Sequence, residues 1–137
     1  KYLVHLLGDM HCPTHVYYYP DNMTLGKFPI KLHGVETNYH KIWDGQLLDS
    51  RHKFWGFQDY RHALDNYTDE EIARMTEGTP VEWFEESARR CREIYDWVQP
   101  GDELGQEFYN AHAPFAEYQL VLSGYRLAKV LNALFDR

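Results

Sequence analysis

The sequence predicts an all-α domain, on three observations. Apolar residues recur at three- and four-residue spacing through most of the chain. Long alternations of valine and isoleucine are missing, and two capping boxes mark helix starts. At 137 residues, with 44% hydrophobic and 26% charged side chains, the chain has the size and balance of one folded domain rather than of a disordered segment.

The first helix is expected over residues 2–12, where Leu3, Leu6, Leu7 and Met10 share a face and Pro13 ends the run. Residues 16–34 read as loop, because "YYYPDNMTLGKFP" is dense in turn residues; the one strand or hairpin suggested there is short, from Lys27 to Leu32. "ETNYHKIWDGQLLDS" predicts a second helix, with Thr37 or Asn38 as cap and Ile42, Trp43, Leu47 and Leu48 facing inward. A third helix is expected over 52–66. Thr68 with Glu71 opens the next, which runs to Met75 and closes at Gly78. Thr79 with Glu82 repeats the device, with Pro80 in the first helical position, and opens a long helix to about Trp97. "PGDELG" reads as a loop. From about Pro114, "FAEYQLVLSGYRLAKVLNALF" is strongly periodic on Leu120, Leu127, Leu131 and Leu134, and Gly124 within it points to close helix packing.

Net charge is −7 with eight histidines uncounted. That excludes grip on nucleic acid through a basic surface alone, so a phosphate-bearing substrate would need bound cations. No stretch approaches the ~20 apolar residues of a membrane-spanning helix. The chain opens without Met and inside an apolar helical pattern, which reads as a fragment or a processed piece. Its two cysteines, Cys12 and Cys91, leave one disulfide open and the redox compartment undecided.

Chemistry concentrates in "HLLGDMHCPTH", residues 5–15. His5 and Asp9 lie four apart, so a helix projects both from one face; His40 and Asp44 repeat the spacing, and His15 follows the break at Pro13. Zinc accepts imidazole nitrogen and carboxylate oxygen, and an i, i+4 pair is a rigid clamp for it. Either pair alone is explained as a surface ion pair worth about 0.2–0.5 kcal/mol. Both pairs together with His15 point to a metal. Leu6, Ile42 and Trp43 read as buried turns beside them, and a metal removes the penalty of burying unpaired imidazole and carboxylate. His33, His52, His62 and His112 lack such spacing and read as surface or packing residues, and Trp43 and Trp83 as core. Cys12, on a helix through residue 12, would point away from the His5/Asp9 face and is not expected to ligate.

At these residues the sequence resembles the single-strand-specific zinc nucleases of fungi and plants, which share a trinuclear zinc fold with bacterial phospholipase C. "HLLGDMHCPTH" follows the pattern His-x3-Asp-x-His-x-Pro-x-His, and "NYHKIWD" follows Asn-x-His-x2-Trp-Asp. "WFEESARRC" and "YQLVLSGYRLAKVLN" look like the family's later helices. The resemblance implies that His5 and Asp9 ligate one zinc of a close pair, with Asp9 bridging to its neighbour and orienting the nucleophile. It implies that His15, His40 and Asp44 hold a third zinc, and that His11 supports the ligands from outside. Asp44 favours the nuclease branch, since the phospholipase branch tends to carry Glu there. The family's remaining ligands lie upstream of the position that His5 matches. Residues 1–137 therefore read as one domain, the C-terminal part of a zinc-dependent nuclease, with its N-terminal portion as partner and fewer than three zinc ions held.

The function implied is a zinc-dependent phosphodiesterase acting on single-stranded DNA or RNA through zinc-activated hydroxide, with 3′-nucleotidase activity alongside. The family is secreted or periplasmic. "YYYPDNMTLGK" departs from the family's Asp-x-Gly-Gly-Asn loop. Tyr17, Tyr18 and Tyr19 there are candidates for stacking bases, though loop packing explains them equally. Three alternatives stand beside this reading: phospholipid headgroup hydrolysis by the same metals, a non-catalytic zinc-binding remnant, and a helical interaction module without metal.

Overall fold

The computed structural model describes residues 1–16, 26–51 and 53–135. Tyr17, Tyr18, Tyr19 and His52 lie outside them. In chain order the elements are α1 (Tyr2–Asp9), β1 (Pro29–Leu32), β2 (Val35–Asn38), α2 (Tyr39–Lys41), a π-helical turn (Ile42–Gln46), α3 (Leu47–Arg51), α4 (Phe57–Leu64), α5 (Asp69–Met75), α6 (Pro80–Arg92), a 3-10 turn (Glu93–Asp96), β3 (Glu103–Leu104) and α7 (Gln106–Phe135). The fold is mainly α, as expected, and α7 is its spine: α1, α3 and α5 all pack along it.

The three strands form a small sheet of order β2-β1-β3. β1 and β2 form an antiparallel hairpin with Leu32 opposite Val35, and β3 joins β1 in parallel. Ile30 and Leu32 alternate into the core while Pro29 and Lys31 stay outside. Beneath the sheet, Tyr39, Ile42, Trp43 and Leu47 pack with Ile94, Val98, Leu104 and Tyr109. Tyr39 is fully buried and its hydroxyl donates to the Ile94 carbonyl at 2.7 Å, fixing α2 to the 3-10 turn that follows α6. Both capping boxes are present: Thr68 and Thr79 accept from the backbone N–H of Glu71 and Glu82, and each Glu accepts in return at 2.8 Å. Those cap bonds hold both glutamates below the usual carboxylate range. Gly78 between the two helices has φ +87°, a left-handed conformation that glycine adopts without a Cβ clash.

Several expectations are corrected. α1 stops at Asp9 rather than running to residue 12, and Leu6 is 61% exposed, since only Leu7 of this helix is buried. The third helix begins at Phe57, capped at Gly56 by the Asp59 carboxylate. α7 begins at Gln106, well before Pro114, which sits inside it. Its buried side is Tyr109, Ala113, Val121, Leu122 and Arg126, whereas Leu120 and Leu134 are exposed. A Cβ at Gly124 would meet open space, so close packing does not account for that glycine. Cys12 and Cys91 are both free thiols.

Candidate metal centre

Two segments bring the histidine motifs together. At the end of α1 the backbone tightens: His11 N–H donates to Gly8 and Cys12 N–H to Asp9, each at 3.1 Å, and His15 N–H donates to Cys12 at 3.0 Å. These consecutive turns swing the chain back, so that His15 faces Asp9. In the second segment Asn38 caps α2 by accepting from the Lys41 N–H at 3.0 Å. The expected continuous helix is interrupted here by the π-helical turn, in which Gly45 has extended backbone. Because Tyr39, Ile42 and Trp43 are buried, His40 and Asp44 are left on the partly exposed side.

Gly26 clamps the two segments. Its carbonyl accepts from His40 N–H at 2.8 Å, and a Cβ there would lie 3.1 Å from Thr14 Cγ2 and 3.3 Å from the His40 nitrogen. Its φ of +74° independently favours glycine.

The side chains then converge. His15 Nδ1 lies 2.6 Å from Asp9 Oδ1, and His15 Nε2 lies 2.9 Å from Asp44 Oδ1. His40 Nε2 is 3.5 Å from the same Asp44 oxygen, and its ring stacks on His15 with centroids 5.0 Å apart. One carboxylate atom is therefore shared by two imidazoles. His5 is exposed on α1, one turn before Asp9, and takes part in none of these contacts.

The donor set fits a zinc ion. An imidazole ligand gives one nitrogen to the metal and its other N–H to a carboxylate, which is how His15 stands between Asp44 and Asp9. For metal–ligand bonds of ~2.0–2.1 Å, tetrahedral ligand atoms lie about 3.4 Å apart, and the distances of His15 Nε2 and His40 Nε2 to Asp44 Oδ1, 2.9 and 3.5 Å, are within ~0.5 Å of that. Sequence reasoning missed one neighbour. Cys12, His15 and Asp44 each offer a donor atom, all within 4.8 Å of one another. Cys12 points away from Asp9 only on a helix that runs through residue 12, and α1 has already ended at Asp9.

His11 does not serve these ligands from outside. Its Nδ1 is 2.7 Å from the Leu7 carbonyl and its Nε2 3.1 Å from Arg126 Nη1, so both ring nitrogens are occupied within the interior. Burial lowers its pKa; the Leu7 bond opposes this and the Arg126 charge adds to it. The imidazole links the turn that carries His15 to α7, as does Gln119, which donates to the His11 carbonyl at 3.1 Å.

Comparison with known proteins gives the same pattern a family. Residues 1–136 match the profile of S1/P1 nuclease. The chain belongs to the S1/P1 nuclease family. Among curated S1/P1-like relatives, Endonuclease 2 of Arabidopsis thaliana is 27% identical over 157 residues, covering 98% of this chain and 50% of the relative. Endonuclease 3 of the same plant is 28% identical over 155 residues, with 98% and 50% covered. This S1/P1 family chain thus spans about half the length of the curated relatives it matches. Among its described residues no helix is long and apolar enough to cross a membrane.

Proposed function

We propose that the chain carries one zinc site, His15–His40–Asp44, and part of a second at His5 and Asp9, of a secreted or periplasmic nuclease acting on single-stranded DNA or RNA and on 3′-nucleotides. The observation that carries this reading is the Asp44 oxygen shared by His15 and His40, with Asp9 behind His15. Bound zinc would supply Lewis acidity toward phosphoryl oxygen and positive charge in an acidic protein. Asp9 uses Oδ1 to fix the His15 ring, which leaves Oδ2 for a metal shared with His5. Asp44 and Asp9 are 43% and 40% exposed as side chains, so a phosphodiester can reach the centre from solvent. The names of the relatives, all endonucleases, support a nucleic acid as substrate.

Tested at its native length, the zinc-loaded protein is expected to cleave a single-stranded oligonucleotide much faster than the matching duplex, and to lose that activity on chelation. Phosphatidylcholine vesicles should be left intact. Undiminished cleavage after the metal is removed, or hydrolysis confined to the vesicles, would overturn the proposal.

A further inference from the structure

We infer that Cys12 is a further ligand of this centre, its thiolate joining His15, His40 and Asp44 in holding the ion. The inference rests on the zinc site proposed above and adds a sulfur to it. Cys12 Sγ lies with donor atoms of His15 and Asp44 in one group, no two more than 4.8 Å apart. For Zn–S of ~2.3 Å and Zn–N of ~2.0–2.1 Å, tetrahedral sulfur and nitrogen ligands lie about 3.5 Å apart, so a shift of roughly 1 Å brings Sγ to that spacing from the donor atoms of His15 and Asp44.

Little holds the sulfur back from that shift. Its thiol donates to the Trp43 carbonyl at 3.7 Å and approaches Thr14 Oγ1 at 3.8 Å, both long contacts of a weak donor. It is not tied up by Cys91, whose own sulfur is a free thiol 3.9 Å from Gln119 Nε2. The placement is also not accidental to one segment. Thr14 belongs to the turn that carries His15, and Trp43 immediately precedes Asp44, so Sγ sits at the junction of the two ligand-bearing segments. The sulfur is half-buried, whereas His15 and Asp44 are exposed, which puts it on the floor of the group. On ligation the Sγ–H proton leaves to solvent and the sulfur lone pair takes its place toward the ion. A thiolate among the donors biases the site toward zinc, cobalt and cadmium and away from magnesium, calcium and manganese.

Cobalt(II) replacing zinc tests this without any activity assay. The cobalt-loaded wild-type chain is expected to show visible d–d bands together with a near-ultraviolet sulfur-to-cobalt charge-transfer band. Cys12→Ser should lose the charge-transfer band and keep the d–d bands, while Cys91→Ser keeps both. In the Cys91→Ser background, zinc should protect the remaining thiol from a disulfide reagent. Visible bands with no charge-transfer band in the wild type would overturn the role of Cys12 alone, as would a band that survives Cys12→Ser. No cobalt bands of either kind would overturn the metal site itself. The two results read on the wild-type chain do not depend on the variants folding.

Discussion

Arg126→Ala is expected to destabilise the fold by about 3 kcal/mol, the largest single effect anticipated outside the hydrophobic core. Arg126 is 3% exposed and joins four parts of the chain from its place on α7. Its Nε donates to the Met75 carbonyl at 3.0 Å, Nη1 meets His11 Nε2, Nη2 pairs with Glu86, and the guanidinium lies over the Trp83 ring at 5.3 Å. Truncation leaves a partly buried carbonyl and a buried imidazole unsatisfied and fills none of the space. The cost falls at the low end of the range for breaking a buried pair, because Glu86 retains Arg90 at 2.8 Å. A chain of this size should lose about 10 °C in Tm. Arg74→Ala is the contrast. That arginine pairs with Glu70 at 3.0 Å, but both side chains are largely exposed, so its loss should leave the melting temperature essentially in place. Thermal melts followed by circular dichroism read both results.

The second large effect is on metal affinity. Asp44→Asn keeps the shape of the side chain but removes the charge on the oxygen that both His15 and His40 approach. Zinc affinity is expected to fall by at least ~100-fold, since even the outer partners of metal ligands are worth 10–100-fold. The zinc-free variant should melt close to the zinc-free wild type, because Asp44 is exposed. His62→Ala, on the exposed surface of α4, should leave affinity unchanged. Competition titration with a zinc chelator measures both, and an unchanged affinity for Asp44→Asn would remove Asp44 from the ligand set.

Local rules made the helix starts legible. Thr68/Glu71 and Thr79/Glu82 sit where their spacing placed them, because a capping box is decided within four residues. The convergence of His15, His40 and Asp44 was legible for a related reason: each motif fixes its own turn, and Pro13 and Asn38 mark where those turns begin. What the sequence concealed depends on distant partners. The short strand suggested between Lys27 and Leu32 is β1, but β3, only two residues long, lies in the stretch that reads as loop, and the two pair across an interval that includes most of the helices. Pro114 suggested a helix start, yet Tyr109 and Ala113 before it, four apart and both buried, carry the helical signal that shows α7 already under way. Leu6 and Cys12 were misjudged together. Both were read as positions on a longer amphipathic helix, whereas α1 buries a narrow stripe and gives way to turns after Asp9.

Crystals of the chain soaked in zinc, with anomalous diffraction recorded on either side of the zinc absorption edge, give the most direct measurement. A single strong difference peak is expected within bonding distance of His15 Nε2, His40 Nε2 and an Asp44 oxygen. Zinc located only elsewhere on the surface, with these three side chains still joined to one another, would contradict the assignment of a metal centre.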